Sequence, residues 1–337
     1  MEKDPNLTLL KPPSIIPAFV AGFNAVANHI YLIVFPVLLD IFLWFGPLVR
    51  VKNLVQPVLD NTIKQMAGVY PADTLALMQT SKDVIMQFFG QFNLFFFLRA
   101  YPVGVPSLLV GTAPLDNPLG KIMITDLASG RDVVLMVIAC LLVGIILGSV
   151  LFSLIARVVG SQKEALNPDR LITQGKNTLI FFVMMVVLGI GIAIPSLFIL
   201  SAIVSFLPSL GSIPFMILGI VLVWMLLPFS FSAHGIFSGQ VNVFSSIGTS
   251  IRLVRKYLPG TGLFFLLAIL LSQGLDMLWA TPATSDWLGL IGILGHGFIS
   301  CGVLAASFVY YSRGMEYMQE KIRRDTAKTE MPVRDGN

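Results

Sequence analysis

Four polar residues interrupt apolar stretches of this sequence, where an ionisable side chain is costly and is therefore a functional candidate. Asp40 stands in FPVLLDIFLWFGP, His296 in GILGHGF, and Gln273 and Asp276 in LSQGLDM. One hypothesis is an intramembrane proton or cation site. The other is structural: Asp40 bonds a neighbouring helix, and Asp276 lies at a water-exposed helix end. We favour the structural interpretation of Asp40, because no second acid accompanies it on its helix.

The structural interpretation of Asp40 makes its own prediction about substitutions. A neutral carboxyl that donates one hydrogen bond is replaceable by Asn, which keeps the shape and a donor. Asp40→Asn should then fold normally. Asp40→Leu should cost about 1–2 kcal/mol, as for other polar contacts between membrane helices.

Catalytic and metal-binding motifs are absent from the sequence. It has no phosphate-binding glycine loop, no His-Glu metalloprotease helix, no CxxC and no nucleophile elbow. It has three histidines, and its two cysteines, Cys140 and Cys301, lie in apolar stretches. We therefore expect no enzymatic activity, no metal and no other cofactor. A net charge of +4 on 337 residues, without a basic run, gives no reason to expect a nucleic-acid partner.

The composition that surrounds these residues is typical of a membrane protein. Hydrophobic residues make up 55% of the chain and charged residues 12%, about half of the charged fraction in soluble domains. The apolar residues form blocks of about 20, the length of a membrane-spanning helix. The sequence predicts an all-α, polytopic transmembrane helix bundle, with interruptions at Pro36, Pro195 and Pro228. Its six predicted spans are 30–49, 133–156, 178–206, 213–235, 261–280 and 287–311.

Basic residues give the expected orientation. Most of the 22 Lys and Arg residues fall on one side of the predicted spans, whereas the short loops 207–212 and 281–286 contain none. The sequence therefore predicts a multi-pass protein of the bacterial plasma (inner) membrane with both termini cytoplasmic. We expect one transmembrane domain over residues 1–320 and a disordered tail over 321–337.

An amphipathic helix is predicted before the fifth span, with Arg252, Arg255 and Lys256 at the level of the lipid headgroups. Weaker versions are predicted before the first span, from Ile16 to Ile30, and at 165–176. The helix before the fifth span has an apolar stripe of Phe244, Ile247, Ile251, Val254 and Leu258 and a polar side that includes Ser245, Ser246, Thr249 and Ser250.

The segment 50–131 is predicted to lie outside the membrane and to contain two amphipathic helices. The second is rich in Phe, and we leave open whether 84–98 is interfacial or re-entrant, because its apolar run is too short to span. The Pro and Gly residues that follow predict a turn-rich, extended stretch.

Small and aromatic residues indicate how the spans pack. Gly144 and Gly148 form a GxxxG pattern, and Gly297, Cys301 and Ala305 form a second small-residue face. We interpret both as packing within one chain instead of dimerisation. Among the tryptophans, we expect Trp224 in the core, and Trp44, Trp279 and Trp287 as interface anchors.

One stretch of the sequence carries a resemblance to a known family. SIGTSIRLVRKYLPGTGLFFLLAILL resembles uncharacterised bacterial multi-span membrane proteins of the glycerophosphodiester-phosphodiesterase membrane-domain type, over residues 160–320. FPVLLDIFLWFGP looks like the opening of other bacterial multi-span proteins without an assigned activity. The resemblance implies a membrane module. It carries over no active-site residue, because no phosphodiesterase catalytic domain is present.

The sequence supports two hypotheses about the function of the protein. The leading hypothesis is a membrane scaffold or accessory subunit that binds membrane lipids, and also a membrane protein partner or a second copy of itself. The alternative is a small-solute or ion permease that uses Asp40 and an outer cluster of His296, Asp276 and Gln273.

Overall fold

Helices dominate the computed structural model, which describes residues 12–109, 114–160 and 167–330. Four short strands lie in the segment between the second and fifth helices: β1 (Leu48–Arg50), β2 (Asp116–Asn117), β3 (Gly120–Lys121) and β4 (Ile124–Asp126). The helices are α1 (Ile15–Asn28), α2 (Val34–Phe45), α3 (Lys52–Met66), α4 (Ala72–Gln91), α5 (Gly130–Val159), α6 (Pro168–Phe206), α7 (Ile213–Leu226), α8 (Ser232–Phe237), α9 (Val243–Lys256), α10 (Leu258–Trp279) and α11 (Gly289–Glu330).

Five stretches of the described chain are helical, long and apolar enough to cross a membrane. They are α5, α6, the run of α7 and α8, α10, and α11 as far as Arg324. The pair Ile15–Asn28 and Ile30–Phe45 adds a sixth if it is counted as one broken span. The prediction of an all-α polytopic bundle is confirmed, and the chain is a multi-pass membrane protein.

The predicted first span, 30–49, is wrong in its bounds. A short 3-10 turn over Ile30–Ile33 precedes α2, α2 ends at Phe45, and the helical axis bends by 92° between the two halves of the pair. Pro47 explains the end of α2, because the residue before a proline is disfavoured in helical conformation, and Gly46 is extended there. The helix α1 is confirmed. Its buried face contains Phe19 and Val26, but Ile16 and Ile30 are exposed.

The separate amphipathic helix predicted at 165–176 is wrong for the described residues from 167 onwards. These residues form the first turns of α6, which continues through Pro195 to its end at Phe206. Asn167 caps this helix by accepting a hydrogen bond from the N–H of Asp169, and Pro168 occupies the first helical position. No proline separates this start from the span, and the helix continues through Gly175.

The disorder predicted for the tail is wrong for residues 321–330, because α11 continues to Glu330. Glu320 accepts a hydrogen bond from Nε of Arg324 at 2.7 Å and forms an ion pair with Arg323 at 2.5 Å. Such pairs at spacings of three and four stabilise an exposed helix. Residues 331–337 lie outside the described part of the chain.

The chain divides into two compact units. The expectation of one transmembrane domain over residues 1–320 stays a prediction. The first unit contains the chain up to His29, Phe152–Ile269 and the chain from Gly302 onwards. Aromatic rings fill its core, with Phe231 and Tyr310 completely buried.

The second unit contains Ile30–Leu151 and Leu270–Cys301. It includes most of the predicted outer segment, in which the two predicted amphipathic helices are confirmed as α3 and α4. The strands β1 and β4 pair in parallel, and β2 pairs with β3 in antiparallel fashion. Arg50 of β1 binds both carboxylate oxygens of Asp126 of β4, at 3.0 and 2.6 Å, and this ion pair fixes the pairing of the two strands.

Two of the tryptophan predictions are wrong. Trp44 is a core residue of the second unit instead of an interface anchor, because it is almost fully buried and its Nε1 donates to the carbonyl oxygen of Thr284 at 2.8 Å. Trp224 was expected in the core but is 56% exposed on α7. Hydropathy does not separate these cases, because both residues lie in apolar helices.

Candidate functional site

Asp40 lies on α2, fully buried, and is held by the turn-rich segment that precedes residue 110. Its Oδ1 accepts hydrogen bonds from the hydroxyl of Ser107 at 2.5 Å and from the N–H of Leu109 at 3.1 Å. Its Oδ2 accepts from the N–H of Leu108 at 3.0 Å. The partner is therefore an irregular segment and not, as predicted, a neighbouring helix.

In these contacts Asp40 accepts hydrogen bonds, whereas the prediction from the sequence was a neutral acid that donates one. The N–H groups of Leu108 and Leu109 are obligatory donors, and each is aimed at a different oxygen of the carboxyl group. The arrangement is that of a carboxylate that accepts from both sides. An irregular backbone buried in a membrane protein must have its polar groups satisfied internally, and Asp40 does this for two of them.

The GxxxG pattern of α5 allows the same segment to approach closely. A Cβ atom at Gly144 would overlap the carbonyl oxygen of Leu98, and one at Gly148 would lie 2.6 Å from the Cα of Gly104. The prediction that this pattern serves packing within the chain is confirmed. The packing partner is the segment from Leu98 to Gly104, so α5 supports the backbone that binds Asp40.

His296 and Asp276 form the hydrogen-bonded pair that the sequence suggested. Nδ1 of His296 on α11 lies 2.6 Å from Oδ1 of Asp276 on α10. His296 is only 5% exposed. Its second nitrogen, Nε2, is buried and has no hydrogen-bond partner among the described residues. Gln273 lies one turn before Asp276 but is exposed, so it does not join the pair.

Close packing brings His296 towards α2. A Cβ atom at Gly297 would be 3.1 Å from Cγ2 of Val37, and the thiol of Cys301 donates to the carbonyl oxygen of Leu32 at 3.5 Å. His296 is near enough to Asp40 to act on its carboxyl group electrostatically. The second unit thus groups three of the four predicted polar residues: Asp40, Asp276 and His296.

The helix α9 is confirmed, but its burial differs from the prediction. Its serine side is buried, because its hydroxyl groups bind the backbone at the break between α7 and α8. Ser250 donates to the carbonyl oxygen of Pro228 at 2.7 Å and accepts from the N–H of Phe231 at 3.1 Å. Ser246 donates to the carbonyl oxygen of Ser232. These bonds satisfy backbone groups that Pro228 removes from a regular helix.

The opposite side of α9 is exposed and combines apolar and basic residues. Phe244 is 72% exposed, and Arg252, Arg255 and Lys256 are exposed beside it. Within the part of the chain that the structure describes, none of these three cations forms an ion pair with an acidic side chain. We call this surface, made of Phe244, Ile247, Ile251, Arg252, Arg255 and Lys256, the α9 outer face.

His234, on α8, is a buried residue that is not among the candidate residues of the sequence. Its Nε2 lies 2.7 Å from the hydroxyl of Ser307, and its ring lies against that of Phe308 at 4.3 Å between centroids. No sequence pattern indicates this burial, because a polar residue after a proline break resembles one at a helix end.

No protein-family model, no curated protein and no solved structure matches this chain. The resemblance to the glycerophosphodiester-phosphodiesterase membrane-domain type therefore stays a prediction. Over residues 12–109, 114–160 and 167–330, no group of three or more His, Cys, Asp or Glu side chains could hold a metal ion.

Proposed function

We propose that this protein is a non-enzymatic scaffold or accessory subunit of the bacterial plasma membrane, with both termini cytoplasmic, and that its α9 outer face binds anionic lipid headgroups. The observation that carries this proposal is the division of α9 into two faces. The hydroxyl face is occupied by hydrogen bonds to the broken helix. The remaining face presents Phe244 and three cations outward.

The physical chemistry of an interfacial helix supports this assignment. An exposed aromatic side chain gains free energy by insertion at the boundary of the acyl chains. Each Lys or Arg near an anionic leaflet contributes about 1 kcal/mol of attraction. Because α9 is anchored to the protein by its other face, it holds the cations at a fixed position without further ordering on binding.

The test compares lipid retention by variants with three neutralised cations. Arg252→Gln, Arg255→Gln and Lys256→Gln together should reduce the amount of phosphatidylglycerol that co-purifies from mixed-lipid nanodiscs by at least about tenfold. A matched control neutralises three exposed cations elsewhere, Lys64, Lys121 and Arg131. Native mass spectrometry of the released protein counts the lipids. Equal retention by both triple variants would reject the proposal.

A second candidate, the permease, is favoured by a different observation. Three titratable side chains, Asp40, Asp276 and His296, are grouped inside the second unit, and one nitrogen among them has no partner within the described residues. Buried ionisable residues that face the interior of a helix bundle mark ion and proton paths in many membrane proteins.

A further inference from the structure

The hydrogen bond between His296 and Asp276 determines which nitrogen of the imidazole carries the proton. An ionised carboxylate only accepts hydrogen bonds, so Nδ1, at 2.6 Å from Oδ1 of Asp276, must be the donor. In the neutral ring, Nε2 is then an unprotonated nitrogen with a free lone pair. A carboxylate in this position fixes both the tautomer and the orientation of the ring.

The titratable groups near His296 among the described residues are acidic. The titratable groups that face His296 are Asp276 from α10 and Asp40 from α2. The α2 residues packed against the neighbouring Gly297 are apolar: Ile33, Pro36 and Val37. The basic residue that follows α2, Arg50, is paired with Asp126 instead. The buried imidazole is thus in direct contact with one carboxyl group, that of Asp276, while Asp40 acts on it electrostatically from α2.

The atom available for binding, the imidazole nitrogen Nε2, limits which cation this site can take. Alkali and alkaline-earth cations bind oxygen atoms, whereas a free imidazole nitrogen binds protons and transition metals. The described residues offer no metal-binding group of three. A proton bound at Nε2 would place a positive charge on the ring, next to the carboxyl group of Asp276.

We propose that His296 is the proton-binding residue of the membrane-embedded part of this protein. Nε2 takes up one proton to form an imidazolium ion, which the carboxylates of Asp276 and Asp40 stabilise, and loss of that proton restores the neutral ring with its proton on Nδ1. This inference names a residue of the site in the permease proposal. The proton site does not depend on that proposal, whereas a role of His296 in transport does.

The experiment is a pH titration by NMR of the full-length protein in lipid nanodiscs, with ¹⁵N-labelled histidine. The three histidines are His29, His234 and His296, and the variant His296→Gln assigns the signals of interest. We expect Nδ1 of His296 to be protonated throughout and Nε2 to gain a proton as the sample is acidified. An Nε2 signal that does not change, or an unprotonated Nδ1, would overturn the proposal.

Two variants of Asp276 separate a proton site from a merely structural contact. In Asp276→Asn the amide oxygen still accepts from Nδ1–H but carries no charge. The tautomer should persist, and uptake of the proton should require a lower pH than in the wild type, because the neutral amide does not stabilise the imidazolium ion. In Asp276→Ala the acceptor is lost and both tautomers should appear. A titration of Asp276→Asn identical to that of the wild type would count against the proposal.

Proton flux into vesicles tests the transport role independently. Proteoliposomes with a trapped pH-sensitive dye report flux driven by a potassium diffusion potential. Flux that disappears in His296→Gln would support both the proton site and the permease. An absence of flux together with a titrating Nε2 would reject the permease while the proton site stands.

Discussion

Asp40 shows how a single residue can be located from sequence while its partners are not. Its position within an apolar helix identified it as structurally important, and its burial agrees with that. The sequence did not predict how many hydrogen-bond partners Asp40 has, or that two of them are backbone N–H groups. These partners belong to residues 107–109, which are distant in sequence and irregular in structure. The difference matters, since a carboxyl that accepts from two backbone N–H groups behaves differently from one that donates.

The geometry reverses the expectation for Asp40→Asn. An amide has one oxygen, so its NH₂ group would face the N–H of Leu108 or of Leu109, and that N–H would stay buried and unpaired. Leaving a buried donor unsatisfied costs about 1–3 kcal/mol. We expect a clear loss of thermal stability, measured by fluorescence-detected size exclusion after heating in detergent. Asp73→Asn, at an exposed position on α4, is the matched control and should unfold like the wild type.

A second comparison separates Asp40 from its hydroxyl partner. Ser107→Ala removes one donor but leaves both backbone bonds to the carboxyl group, so it should destabilise less than Asp40→Asn. If Asp40→Asn matched the wild type while Asp40→Leu unfolded, the carboxyl group would be neutral and the original interpretation would be correct.

At the scale of elements, the sequence predicted the helix α9 and its position in the chain correctly. It did not predict which side of α9 is buried. Its pattern of apolar and polar residues predicted a helix with its hydroxyl side in water. Serine, however, is small enough to be buried, and its hydroxyl group can satisfy a free carbonyl oxygen. Pro228 was recognised as a break, and a break requires such partners. The sequence could therefore have suggested that a hydroxyl group bonds the backbone near Pro228. It does not show that α9, with Ser250, is the helix that packs there.

Replacing a membrane-helix glycine by alanine lowers or raises the stability of the protein according to what packs against that glycine. In Gly144→Ala the new methyl group would overlap the carbonyl oxygen of Leu98, so the backbone would have to move and the protein should lose about 1–3 kcal/mol. At Gly189, on the membrane span α6, no atom lies within 4 Å of the added Cβ. Gly189→Ala should be neutral or stabilising by up to about 1 kcal/mol, because alanine favours the helix.

Both variants can be compared by the same heating assay in detergent. A destabilised Gly144→Ala beside a normal Gly189→Ala would attribute the effect to the segment Leu98–Gly104. Equal stability of the two variants would mean that this segment does not pack on α5 in the membrane.

At the scale of the whole molecule, composition determined the class of protein, and apolar blocks located the second, fourth and fifth predicted spans to within a few residues. The third helix begins earlier and the sixth ends later than predicted, because each continues into a more polar stretch, and the first span is bent. The wrong bounds of the first span have a physical cause. The apolar stretch between Ile15 and Phe45 contains a bend of 92°, and hydropathy does not register a bend. The parallel pairing of β1 with β4 also escaped prediction, because strands of three residues are too short to show periodicity.

Orientation in the membrane is the prediction that remains to be measured, and the structure shows where to place the probes. In a background with Cys140→Ala and Cys301→Ala, both of which remove buried thiols, a single new cysteine reports its side of the membrane. Ser246 is unsuitable because it is completely buried, whereas its neighbour Ser245 and Ser81 on α4 are exposed. The excess of Lys and Arg on one side predicts that Ser245→Cys is cytoplasmic and Ser81→Cys is external.

An impermeant maleimide added to intact cells should therefore label position 81 and reach position 245 only after lysis. Labelling of both positions in intact cells would place α9 outside, where its cations would not meet the cytoplasmic leaflet, and would remove the basis of the scaffold proposal.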